Sequence, residues 1–217
     1  SRSSAASDVY KRQAQVFRHR LGADQSADEL VAQDLDPGWF VHLRRSRSGR
    51  YAIVSMSDHD SSETWLSDLQ DIAKPAQLVA ARTAKLRYDV EPHGDHLFIR
   101  TNADNAEDFK IVHAPLDDAR RENWRDLIPH RHGCMVVSMT AFARHLVRLE
   151  RENSLPRIVV RRIESGDEHA IEFAEEAFSL RMESGIEFDT DMLRFVYSSM
   201  TTPDETYDYD MSARTRT

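Results

Sequence analysis

A chain of 217 residues, 40% apolar and 30% charged, is long enough for one sizeable domain or two small ones, and its apolar residues are spread too evenly for disorder. A formal charge of −8 and an isoelectric point near 5.7 exclude the concentrated cationic face of a nucleic-acid surface; no nucleic-acid partner is expected, and an acidic body steers cationic ligands instead. No apolar run approaches the roughly 20 residues that cross a bilayer, so no membrane partner is expected, and the single cysteine, Cys134, permits a reducing, cytoplasmic location.

In chain order, Ser1 to Arg12 lacks the apolar core of a secretory signal and departs from the pattern that begins at Gln13, so residues 1–12 read as a non-native leader. Short apolar-alternating runs separated by turn residues follow. Two lie near Phe17 and Leu30. The rest begin at or around Trp39, Tyr51, Trp65, Leu78, Ala84, His96, Lys110, Leu127, Cys134, His145, Ile158, Ile171, Ala177, Met192 and Tyr207. Turn chemistry separates them at Pro37-Gly38, Gly94-Asp95, His132-Gly133, Ser165-Gly166-Asp167 and Pro203-Asp204. Within the last run, Tyr207, Tyr209 and Met211 share one face and two aspartates the other, the period of two of a strand with one buried face.

These runs recur in register. Those starting at Tyr51, His96, His145 and Met192 are 45, 49 and 47 residues apart. Those at Phe17, Trp65, Lys110, Ile158 and Tyr207 are 48, 45, 48 and 49 apart. Four strands per period of roughly 40–50 residues is the signature of propeller blades. The pattern predicts an all-β fold over 13–217, with about four consecutive four-stranded blades of a seven-bladed β-propeller. It is open and incomplete, because a seven-bladed ring at this period needs about 330 residues. Each terminal blade should then expose one apolar face, with strand edges prone to aggregation. Met139 to Asn153 and His169 to Glu183 also fit amphipathic helices by composition; the register across the chain favours strands.

Chemistry-bearing motifs are sparse. The seven glycines, at 22, 38, 49, 94, 133, 166 and 185, never stand four apart, so the G-x-S-x-G elbow of a serine hydrolase is missing. No catalytic, metal or cofactor-binding residue is expected in this chain. His130 and His132 lack a second ligand cluster at metal spacing and read as a solvated loop. Cys134 opens an apolar run as a small core residue. Arg44-Arg-Ser-Arg-Ser-Gly-Arg50 reads as a charged hairpin loop. The aspartates at 189, 191, 204, 208 and 210 lack EF-hand order and read as strand faces and turns, while Trp39, Trp65 and Trp124 are core residues.

Several longer words resemble the oligopeptidase B branch of the prolyl oligopeptidase family of serine peptidases. They are Val16-Phe-Arg-His-Arg-Leu-Gly22, His96-Leu-Phe-Ile-Arg-Thr-Asn102, Glu122-Asn-Trp-Arg-Asp-Leu-Ile-Pro-His130 and Glu150-Arg-Glu-Asn153. The most specific run from Glu187-Phe-Asp-Thr-Asp191 through Tyr197-Ser-Ser-Met-Thr-Thr-Pro-Asp204 to Tyr207-Asp-Tyr-Asp-Met211. The resemblance covers about Gln13 to Thr217. It implies the later blades of a seven-bladed propeller that caps an α/β-hydrolase domain with a Ser, Asp, His triad. That domain would be the partner within the same polypeptide and lie outside this chain, which alone would be inactive. The implied substrates are short peptides cut after Lys or Arg, with folded proteins kept out by the propeller. A free-standing propeller that serves as an interaction scaffold is the alternative the residues leave open.

Overall fold

The computed structural model describes residues 15–36, 38–183, 185 and 187–217. The leader reading for residues 1–12 and the Pro37 half of one predicted turn lie outside them. Strands β1 (Gln15–Arg18) and β2 (Glu29–Gln33) form a two-stranded antiparallel sheet. Four antiparallel meanders follow, each a sheet of four strands in chain order. The first blade is β3 (Phe40–Arg45), β4 (Tyr51–Ser57), β5 (Ser62–Asp68) and β6 (Gln77–Leu78). The second is β7 (Tyr88–His93), β8 (His96–Thr101), β9 (Lys110–Pro115) and β10 (Arg125–Ile128). The third is β11 (Cys134–Ala141), β12 (His145–Glu152), β13 (Leu155–Arg162) and β14 (Glu168–Ala170). The fourth is β15 (Phe178–Glu183), β16 (Met192–Ser199), β17 (Glu205–Asp210) and β18 (Thr215–Arg216).

The core lies between sheets, because alternate residues of each central strand point to opposite neighbours. On β8, Leu97 and Ile99 pack back on Ile53 and Leu66 of the first blade, while Phe98 packs forward with Val136 and Leu146 of the third. Likewise Leu146 of β12 faces the second blade, and Val147 joins Leu193 and Phe195 of the fourth. Val16 of β1 meets Trp39, Val41, Val54 and Met56, so the two-stranded sheet caps the first blade in the same manner. Tyr88 adds a polar stitch between the first and second blades. Its hydroxyl donates to Ala80 O at 2.8 Å and accepts from Thr64 N at 2.9 Å, and burial pushes its pKa to about 12.

The stack is curved. Packed sheets stand about 10 Å apart, so a flat stack would separate the first and fourth blades by about 30 Å. Yet Arg47, in the β3–β4 turn, donates to the carbonyls of Gly185 and Glu187 beyond β15. One side chain spans that gap only if the sheets fan around a shared axis, with the first strand of each blade innermost. The architecture is an open arc of propeller blades, and both stretches that also fitted helices are strands, β11–β12 and β14–β15.

Two expectations need correction. The run expected around Ala84 starts later: Lys85 lies in a turn at φ 64°, and the strand begins at Tyr88 where the alternation starts. Secondly, the two end faces differ. The first sheet does leave Phe17 52% and Leu30 45% exposed. The last presents a mixed and partly charged one: Ser179, Arg181, Arg194 and Asp208 share the outward side of β15–β17 with Met192 and Val196, and Arg194 Nε meets Asp208 Oδ1 at 2.7 Å. Phe195, Tyr197, Tyr207 and Tyr209 all turn inward to the third blade, which uses up the aromatic half of that alternation.

Candidate functional site

The first-to-second-strand connections of all four blades lie at the same end of the arc, and there they meet. In the first blade, Gly49 at φ 76° lets the β3–β4 hairpin turn tightly, in a conformation an L side chain resists. The hairpin thereby projects Arg47 toward the axis. Its backbone N–H donates to Glu91 Oε1 of β7 at 2.6 Å, and Arg44 Nη1 donates to Glu91 Oε2 at 2.8 Å. Arg44 also donates to the carbonyl of Val90. Glu91 is buried, and its carboxylate is satisfied by these two charge-assisted contacts.

From that anchor the Arg47 guanidinium crosses the axis. Its Nη2 donates to Glu187 O at 2.8 Å and its Nη1 to Gly185 O, and its carbon lies 5.0 Å from the centroid of Phe142 in the third blade. Buried Nε has no hydrogen-bond partner among the described residues. Burial lowers the Arg47 pKa and Glu91 opposes that shift; an arginine remains a cation regardless. The second blade joins through His93, whose Nε2 is 3.2 Å from Phe142 O and 3.1 Å from Ala143 O. The His93 ring stands 5.6 Å from Phe188, and Ala143 N donates to Phe188 O at 3.0 Å. Arg47, Glu91, His93, Phe142 and Phe188 thus tie the hairpin ends of the four blades together, with one cation held by backbone oxygens. The cluster holds no nucleophile paired with a base.

The residues singled out in the sequence fall elsewhere, apart from the basic hairpin. Arg44 to Arg50 does form the β3–β4 hairpin, but only Arg50, which pairs with Asp68 at 2.9 Å, and Arg45, which donates to Gly49 O at 2.7 Å, stay local. The inward roles of Arg44 and Arg47 carry no sequence signal, because the partners are 44 to 140 residues away. His130 and His132 both turn toward Asp108, at 3.7 and 3.8 Å, and His130 Nε2 accepts from Asp108 N. Among the described residues no group of three or more His, Cys, Asp or Glu side chains gathers to hold a metal. Cys134 is buried, its thiol pushed up by burial, with Arg131 Nη2 2.5 Å away. Asp189 and Asp191 both bind Arg144, at 2.9 and 3.0 Å, and Asp210 caps the turn that starts at Met211. Trp39 and Trp124 are core residues, with Trp65 packed against the first of these clusters.

Comparison with known proteins gives one consistent result. The family pattern described as prolyl oligopeptidase, N-terminal beta-propeller domain, matches residues 2–217. A dipeptidyl aminopeptidase BI of Pseudoxanthomonas mexicana is 34% identical over 195 residues, covering 89% of this chain and 26% of that protein. Protease 2 of Moraxella lacunata is 30% identical over 200 residues, covering 92% and 28%. Among solved structures, oligopeptidase B from Trypanosoma brucei, in a closed form with covalently bound antipain, superimposes with a TM-score of 0.89 at 30% identity. That match covers 95% of this chain and 31% of the trypanosomal one. The chain therefore spans under a third of the length of the relatives it matches. No described helix is long and apolar enough to cross a membrane.

Proposed function

The chain belongs to the prolyl oligopeptidase family, as part of its N-terminal β-propeller domain, and on that premise we propose that it is a non-catalytic gating segment of a serine-type oligopeptidase acting on short peptides after Lys or Arg. The observation that carries this reading is the bridged channel mouth, where Arg47 is tied to carbonyls three blades away. A mouth spanned by a fixed guanidinium excludes a folded chain by size. Closure of that kind also keeps water from a reaction site on the far side. The partner is an α/β-hydrolase domain of the same polypeptide, which supplies the Ser, Asp, His triad. The net charge of −8 supports basic peptides as substrates, since an acidic body raises their local concentration.

The test has two arms. The 217-residue chain alone should show no turnover of a fluorogenic Arg peptide above a buffer blank. Turnover abolished by a serine-directed inhibitor would overturn the reading. Reading the gene beyond Thr217 should reveal G-x-S-x-G followed by Asp and His; a further blade there would favour an interaction scaffold.

A further inference from the structure

At the seam between the third and fourth blades lies a partly open cavity of about 160 Å³. Its polar lining is His145, Arg162, Asp167 and His169 from the third blade, with Ser212 and Arg214 from the β17–β18 turn of the fourth. The composition is unusual for a seam that is otherwise apolar. His145 is 2% exposed, and its buried Nδ1 has no hydrogen-bond partner among the described residues; Asp191 Oδ1 stands off at 3.4 Å. His169 is tied through Nε2 to the Tyr209 hydroxyl at 2.9 Å. Burial lowers the pKa of both imidazoles, with Arg162 adding to the effect at His145 and Arg214 at His169. Both are therefore neutral near pH 7, each able to donate one N–H without adding charge.

The carboxylates nearby are already engaged. Asp167 Oδ2 accepts from Ser165 Oγ at 2.8 Å, Asp191 is held by Arg144, and Asp210 Oδ1 accepts from Ser212 N and Ala213 N. The two guanidiniums are not. Among the described residues neither Arg162 nor Arg214 makes a side-chain hydrogen bond or ion pair, whereas Arg144, Arg148, Arg161 and Arg194 around them all do. Arg214 also sits at φ 59°, the left-handed region that favours glycine, so a long cationic side chain is held there against local preference.

We propose that this cavity binds a tetrahedral oxyanion, inorganic phosphate or a phosphomonoester, between the Arg162 and Arg214 guanidiniums. Charge-assisted forks from two arginines match such a ligand. Because one arginine comes from each blade, the bound ion would also clamp the seam.

Isothermal titration of inorganic phosphate into the 217-residue chain, at ionic strength held constant with sodium chloride, tests this directly. A saturable heat is expected, with a thermal midpoint that climbs with the logarithm of phosphate concentration. Arg162→Gln and Arg214→Gln should each weaken binding about tenfold or more, the worth of one charge-assisted contact. Arg214→Gly should lose the phosphate response while keeping or raising the midpoint in chloride, because it relieves the left-handed backbone; Arg120→Gln, on the second blade, should bind like the parent. An O-phosphoserine arm separates the two sources: affinity at least equal to phosphate admits an ester, and exclusion confines the site to the free ion. No saturable heat in the parent, or equal affinity in Arg214→Gln, would overturn the proposal and leave phosphate as a general stabilising salt.

Discussion

Arg47 and Glu150 show two different uses of a buried charge. Arg47 works across the arc, linking the hairpin of the first blade to the loop of the fourth. Its truncation to alanine should leave the blades intact but free that loop. Hydrogen exchange at the Ala143 amide, which donates to Phe188 O, should speed up at least about tenfold, while amides in β8 and β9 stay unchanged. Equal protection would mean the bridge is incidental. Glu150 instead works within its own blade, almost wholly buried and bonded by Arg148 Nε at 2.7 Å and Arg157 Nη2 at 2.5 Å. Burial alone would raise its pKa, but those guanidiniums outweigh it and the group is held below the usual carboxylate range. A depressed folded pKa gives stability that is complete above the unfolded value near 4.5 and is lost as pH falls toward the folded one. Glu150→Ala should cost about 1–3 kcal/mol in urea at neutral pH, because buried Arg148 keeps only Glu168 as a partner and its Nε loses its acceptor. Glu150→Gln should flatten the decline in stability below that pH. Neither role was legible in the sequence. The basic hairpin reads as solvated charge until the arc brings Glu91, Phe142 and Glu187 against it, and Glu150 reads as one more acidic residue in a strand.

At the level of strands and sheets much more was legible, because propeller strands repeat. The runs starting at Tyr51, His96, His145 and Met192 are the first residues of β4, β8, β12 and β16. These second strands lie mid-sheet with neighbours on both sides, so apolar residues mark them sharply. First strands carry weaker marks, as around Ala84, because each has a sheet neighbour on one edge only. The partly charged outer face of the last blade was also present in the alternation of Leu193, Phe195 and Tyr197 with Arg194, Val196 and Ser198. The error was to assume that every blade is apolar on both faces. Phe195→Ala should therefore cost about 3–5 kcal/mol by urea unfolding, and Arg194→Ala, one residue away on the solvent side, well under 1 kcal/mol. Comparable losses would contradict the inward assignment. Tyr88→Phe should cost about 1–3 kcal/mol, since Thr64 N and Ala80 O would each lose a buried partner.

For the molecule as a whole, cohesion comes from each sheet covering its neighbour, so the two ends should behave differently. The exposed Phe17 and Leu30 face should drive self-association, and Phe17→Glu combined with Leu30→Lys should reduce it in sedimentation velocity. The partly charged face of the fourth blade should contribute nothing to it, so Arg181→Ala should leave the association unchanged. Everything proposed for the channel depends on the sheets fanning about one axis. Pulsed electron resonance on two pairs of spin labels measures that fan. One pair replaces His42 and Arg181 on the innermost strands of the first and fourth blades; the other replaces Gln77 and Thr215 on the outermost. The arc predicts an inner distance well below the roughly 30 Å of three flat sheet spacings and an outer distance well above it. Equal inner and outer distances near that value would show a flat stack, without a channel for Arg47 to bridge.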